Sequence, residues 1–119
     1  MITLTLPYPP SVNAYWMASG HRRYISKRGM DFKKAVVEAC NGLKSFGDQP
    51  VELSIILHPR DARLMDIDNC GKAICDSMNG LMYDDDQQVW RITIERGIKI
   101  KHGGCVVVIK PYVSCGMKA

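Results

Sequence analysis

The sequence predicts an α/β protein of the α+β type: one domain over residues 1–119, a mixed β-sheet with two packed helices, in the order β-α-β-α-β-β. Three observations carry that expectation. Apolar segments of strand length recur along the chain, two stretches with apolar residues at helical spacing lie between them, and no repeat or linker divides the whole. With 119 residues the chain can bury one core and is too short for two.

The first segment, Ile2-Thr3-Leu4-Thr5-Leu6, alternates apolar and polar side chains as a half-buried strand does. Pro7-Tyr8-Pro9-Pro10-Ser11 ends it, because prolines fix φ and remove backbone donors. An irregular stretch follows with Asn13, Tyr15, Trp16, Arg22 and Arg23, and a short strand is expected near Tyr24-Ile25. Aromatics mixed with basic residues on a loop can stack on bases and contact phosphates. They serve equally well as buried anchors, and the sequence leaves both readings open.

Ser26 is placed to N-cap a helix running to about Lys44, with Phe32, Ala35, Val36, Ala39, Cys40 and Leu43 as its apolar stripe. Lys33, Lys34 and Lys44 lie off that stripe and would face solvent or a ligand. Val51–His58 is a strand whose continuous Ile55-Ile56-Leu57 suits a central position. A second helix is expected from Asn69 to about Asn79, with Cys70, Ala73, Ile74 and Met78 on its apolar face and Gly80 at its end. Val89–Arg96 and Cys105–Lys110 complete the strands, with His102-Gly103-Gly104 in the turn between them.

Composition excludes several classes. Hydrophobic content of 46% with 24% charged residues is that of a globular chain, not a disordered one. No apolar run reaches the length of a membrane span, and no signal-peptide pattern opens the chain, so a cytoplasmic location is expected. The five cysteines form an odd, scattered set without a C-x-x-C pair, which argues against both structural zinc and a disulfide framework. His21, His58 and His102 are isolated.

Charge is unevenly spread. The net charge is +4, yet five of the twelve acidic residues sit in two clusters, Asp66/Asp68 and Asp84–Asp86, leaving seven acids elsewhere against sixteen Lys and Arg. A basic body around an acidic focus suits a polyanion held over a bound cation, although a basic surface also serves plain solubility. In an extended segment Asp66 and Asp68 would share one face, with Ile67 turned to the core. Paired carboxylates repel unless a cation lies between them, and hard divalent ions such as Mg²⁺ choose such ligands. A solvated D-x-D loop is the commoner occurrence. If the helix starts near Asn69, Asp68, Lys72 and Asp76 recur every four residues along one face. Lys72 could then steady a phosphate oxygen or simply form an i,i+4 salt bridge.

A calcium-binding loop counted from Asp66 fails, because position 5 is Cys70 and position 12 is Ser77 where a glutamate is required. Neither a G-x-x-x-x-G-K-[ST] phosphate loop nor an H-E-x-x-H motif is present.

Three motifs in order give the chain a family likeness. They are Leu4-Thr5-Leu6-Pro7-Tyr8-Pro9-Pro10-Ser11-Val12-Asn13, then Asp66-Ile67-Asp68-Asn69 with Lys72 and Asp76, then Asp85-Asp86-Gln87-Gln88-Val89. Over nearly its whole length the chain thereby resembles the RusA family of Holliday junction resolvases. The resemblance implies a homodimeric, Mg²⁺-dependent crossover junction endonuclease, with Mn²⁺ as an admissible substitute, that acts on branched four-way DNA and leaves 5′-phosphate ends. It implies a bacterial setting, often phage or prophage, with no membrane and no organic cofactor. It places catalytic and metal-binding carboxylates on Asp66, Asp68 and Asp86 and the essential lysine on Lys72, with Asp85 and Asp76 as accessory candidates. Arg22, Arg23, Lys27, Lys33, Lys34, Arg60 and Arg63 are the candidate DNA contacts. The basic run that often precedes the first aspartate is thinned here to Arg60 and Arg63, and Asp84 makes the acidic turn more negative than the motif requires. Two other readings of the same carboxylates are a small-nucleotide phosphohydrolase and a non-catalytic junction-binding protein with a structural cation.

Overall fold

The computed structural model describes residues 1–62 and 67–113. Strand β1 (Ile2–Leu6) buries Leu4 and Leu6 and leaves Thr3 and Thr5 exposed, as the alternation predicts. After the prolines comes a one-turn helix α1 (Val12–Tyr15), where the Ser11 carbonyl accepts from the Ala14 and Tyr15 amides. The chain then makes a hairpin, β2 (Trp16–Ser19) and β3 (Arg22–Ile25), closed by Gly20-His21. Gly20 has φ +62°, the left-handed value that the first central residue of a tight II′ hairpin turn needs. Only the end of β3 was expected as a strand.

Helix α2 (Lys27–Cys40) begins where Ser26 Oγ accepts from the Gly29 amide at 3.0 Å. It stops at Cys40 instead of continuing to Lys44. Asn41 has left the helical region and Gly42 takes φ +81°, so Leu43 lies outside the helix and is 41% exposed. Phe32, Val36 and Cys40 are buried.

Strand β4 (Val51–His58) is central, as its apolar run implies. It pairs in parallel with β5 (Val89–Arg96) on one side and antiparallel with β6 (Gly104–Pro111) on the other, and β6 pairs antiparallel with β1. The sheet order is β1-β6-β4-β5, so the two last strands, consecutive in sequence, are not neighbours. The parallel β4–β5 pair demands a crossover. That crossover carries a 3₁₀ turn (Ile67–Asn69), helix α3 (Gly71–Ser77) and a second 3₁₀ turn (Asp86–Gln88) that feeds β5.

Cys70, Ala73, Ile74 and Met78 are all buried, as expected of the apolar face of the second helix. The α-helix itself is shorter than Asn69–Asn79, because the residues before it are wound as 3₁₀. Ile67, expected to face the core from an extended strand, is therefore exposed on that turn. α1, α2 and α3 contact one another, α2 also contacts β1, and one core joins Leu4, Phe32, Val36, Leu53, Ile55, Ile74 and Val107. Among the described residues no helix is long and apolar enough to cross a membrane.

Candidate active site

The crossover folds back so that Lys72 lies beside the acidic turn. Lys72, on the first turn of α3, extends its ammonium to Asp76 Oδ1 at 2.8 Å and to Asp86 Oδ2 at 3.0 Å. The first contact is the i,i+4 pair that helical spacing allows. The second joins residues fourteen apart and exists only because the acidic turn folds back beside α3. Asp76 is more deeply held than an accessory residue. Its side chain is 10% exposed, and its other oxygen accepts the Trp16 indole N–H at 3.0 Å. Trp16, Asp76, Lys72 and Asp86 thus form one chain of contacts from the hairpin to the acidic turn.

The acidic turn is not merely solvated. Asp85 caps the 3₁₀ turn by accepting from the Gln87 amide, and the Gln88 side chain accepts from the Asp85 amide at 2.8 Å. The amide nitrogen of Gln88 then donates to the carbonyls of Gly47 at 2.6 Å and Gln49 at 2.9 Å. The D-D-x-Q segment is thereby pinned to the loop before β4, and Asp86 is aimed at Lys72. Gln88 had no role from sequence, though its place in the motif was the signal available.

Two carboxylates on one ammonium raise the Lys72 pKa, through the bond to Asp76 first and that to Asp86 next. At Asp86 partial burial opposes ionisation, but the bonds with Lys72 and Asp85 outweigh it and hold the carboxyl below its usual range. Cys75, beside the cluster, is pushed up to about 11 by burial and by the charges of Asp86 and Asp76. Cys70, which adjoins Asp68 in sequence, is buried, and its thiol is pushed up chiefly by desolvation, the surroundings of an unreactive cysteine.

Asp66 and Arg63 lie outside the described residues. Asp68 is exposed on the 3₁₀ turn before α3. Among the described residues no three His, Cys, Asp or Glu side chains close around a common point. The donor chemistry nonetheless fits a hard divalent cation. Asp86 and Asp76 already converge on one positive charge, and every candidate ligand is a carboxylate oxygen.

The basic candidates divide. Arg23 lies over the Trp16 ring, 4.7 Å from its centroid. Lys33, expected to face outward, is half-buried, and its ammonium donates to the Ser77 carbonyl at 2.6 Å. These two, with Lys72, line a pocket of about 490 Å³ that also contains Trp16, Asp76 and Asp86. Arg22, Lys27, Lys34 and Arg60 are exposed elsewhere, with Lys27 beside Asp31 and Arg60 beside Asp61.

Comparison with known proteins identifies the family. The profile of the family described as Endodeoxyribonuclease RusA matches residues 7–110. A crossover junction endodeoxyribonuclease of Enterobacteria phage HK97 is 36% identical over 101 residues, covering 82% of this chain and 84% of the relative. One of Shigella sonnei is 35% identical over 91 residues, covering 73% and 76%, and one of Enterobacteria phage 82 is 36% identical over 90 residues, covering 72% and 75%. On this evidence of motif, fold and likeness, the chain belongs to the RusA endodeoxyribonuclease family.

Proposed function

We propose that this protein is a divalent-metal-dependent crossover junction endodeoxyribonuclease that resolves four-way DNA junctions by paired symmetric nicks. The observation that carries the reading is the Lys72–Asp76–Asp86 cluster, set in a pocket with Arg23 and Lys33 inside the matched region. Asp66, Asp68 and Asp86 are the proposed ligands of the ion, Mg²⁺ or Mn²⁺. When bound, such an ion supplies an activated water and neutralises charge on the scissile phosphate.

The chain's own residues do the rest. Lys72, held by Asp76, presents a fixed positive charge to the phosphate oxygens and does not act as a base. Asp76 positions it, and the Asp85–Gln88 cap positions Asp86. Arg22, Arg23, Lys27, Lys33, Lys34, Arg60 and Arg63 are proposed to hold the DNA backbone, so binding should weaken as salt rises. Cutting two opposed strands needs two sites related by a two-fold axis, which a homodimer of this single domain supplies.

The test is to incubate the purified protein with labelled four-way junction, linear duplex and free nucleotides, with and without Mg²⁺. Paired nicks in the junction alone, ending in 5′-phosphate, support the proposal. Junction binding without cleavage favours a non-catalytic binding module, and hydrolysis of nucleotides alone favours a phosphohydrolase. Asp68→Asn should retain junction binding and lose cleavage; normal cutting by that variant would refute the ligand assignment.

A further inference from the structure

The pocket beside the cluster holds more than phosphate chemistry requires. Besides the charged residues its wall contains Tyr15, Trp16 and Ile25, and the Trp16 ring is half-buried instead of being closed into the core. That ring is fixed from two directions. Its N–H is bound to Asp76, and Tyr15 packs edge-on against it with centroids 5.4 Å apart. The Arg23 guanidinium lies over the ring and also reaches the pocket. With the guanidinium over one face, the ring backs a planar cation, and a guanidinium plane held on an aromatic ring is a stacking platform for a nucleobase.

Size and polarity agree. A volume of about 490 Å³ is enough to seat one nucleotide. Arg23, Lys33 and Lys72 line the pocket alongside Asp76, Asp85 and Asp86, so its formal charges balance and a phosphate seated there relies on the cation proposed above as well as on Arg23. Asn79 is on the same wall, and its side-chain oxygen is buried without a hydrogen-bond partner among the described residues. Such an acceptor could receive an exocyclic amino group after a small side-chain adjustment.

Resting on the nuclease reading above, we infer that Trp16 and Arg23 form a subsite for a single unpaired nucleobase of the cleaved strand, next to the scissile phosphate. Asp76 ties the two functions together, because it binds the Trp16 N–H through one oxygen and Lys72 through the other. A base seated at the Trp16–Arg23 pair therefore brings its own backbone to Lys72. Bases within a continuous duplex must first unstack to enter, whereas those at a branch point do so at lower cost, which makes the subsite a source of selectivity for branched DNA.

The test places one abasic nucleotide in turn at each of three positions on either side of the cut in a four-way junction. With wild type, one position should lower cleavage and metal-free junction binding by roughly ten- to hundredfold, the loss expected for one stacked base. Trp16→Leu should show a similar loss on intact junction and no further loss at that position. Trp16→Phe keeps a ring but not the N–H and should remain sensitive to the abasic site. Arg23→Gln, a change at an exposed hairpin position, should reduce the sensitivity even if Trp16→Leu folds poorly. Insensitivity at every position, or losses that multiply in Trp16→Leu and Arg23→Gln, would overturn the inference. Failure of the nuclease reading has a different signature: abasic-sensitive binding by wild type with no cleavage of any junction.

Discussion

The tie between Trp16 and Asp76 joins residues sixty apart in sequence, and a double-mutant cycle can measure it. Asp76→Asn keeps the shape of the side chain but offers one acceptor and one amide donor to two donors, the indole N–H and the Lys72 ammonium. The Lys72 side chain is 56% exposed, so its ion pair contributes at most about 1 kcal/mol. The Trp16 bond to a largely buried carboxylate belongs to the stronger, charge-assisted class, about 1.5–3 kcal/mol, of which the neutral amide retains part. A total destabilisation of about 2 kcal/mol follows. Trp16→Phe removes the donor and keeps an aromatic ring, so the two changes should couple by about 1 kcal/mol. Urea unfolding measures this as a shift of midpoint at constant slope. Asp76→Asn should also slow junction cleavage more than tenfold, since Lys72 loses one of its two anchors. Full additivity, or an Asp76→Asn protein as stable and active as wild type, would refute the positioning role.

Three further outcomes are expected. Gly29→Ala, which in an open helix would add about 1 kcal/mol of stability, should instead destabilise by about 1–3 kcal/mol in thermal melts. Its Cβ would stand 2.7 Å from the Tyr15 carbonyl oxygen and 2.8 Å from Ile25 Cγ2. Gln88→Ala should lower the unfolding midpoint by the equivalent of about 1–2 kcal/mol and reduce cleavage, because three bonds that pin the acidic turn depend on that side chain. Stability should also fall from about pH 9 to pH 12. Burial raises Cys75 to about 11 and Cys105 to about 12 from an ordinary 9, so in that window the unfolded chain loses protons that the folded chain keeps. The slope is about 1.4 kcal/mol per pH unit for each such group, read by denaturant melts across the range, and Cys105→Ala should flatten it.

What was legible in the sequence was local. The alternation of β1, the Ser26 cap, the apolar run of β4 and the buried face of α3 each follow from neighbours a few residues apart, and the structure bears them out. The β2–β3 hairpin was mostly missed because its strands carry little apolar alternation: Met17, Tyr24, Arg22 and Arg23 are all exposed. Sheet order was not legible either, since the parallel β4–β5 pair and the separation of β5 from β6 depend on where the crossover packs. The same holds for the site. The spacing of Lys72 and Asp76 announced one contact, but Lys72–Asp86 and Trp16–Asp76 arise only when the crossover and the hairpin converge. Of the two readings left open for the aromatic loop, the buried anchor holds for Tyr15; Trp16 is half-buried and lines the pocket, the placement from which base stacking is inferred above.

The central claim is that these carboxylates and Lys72 form a nuclease site for branched DNA. Its most direct test is strand mapping on a labelled four-way junction in Mg²⁺, with wild type and Asp68→Asn side by side. Wild type should give symmetric, ligatable nicks in two opposed strands and none in linear duplex, and Asp68→Asn should bind the junction intact without nicking it. Equal cutting of duplex and junction, or unchanged cutting by Asp68→Asn, would contradict that claim.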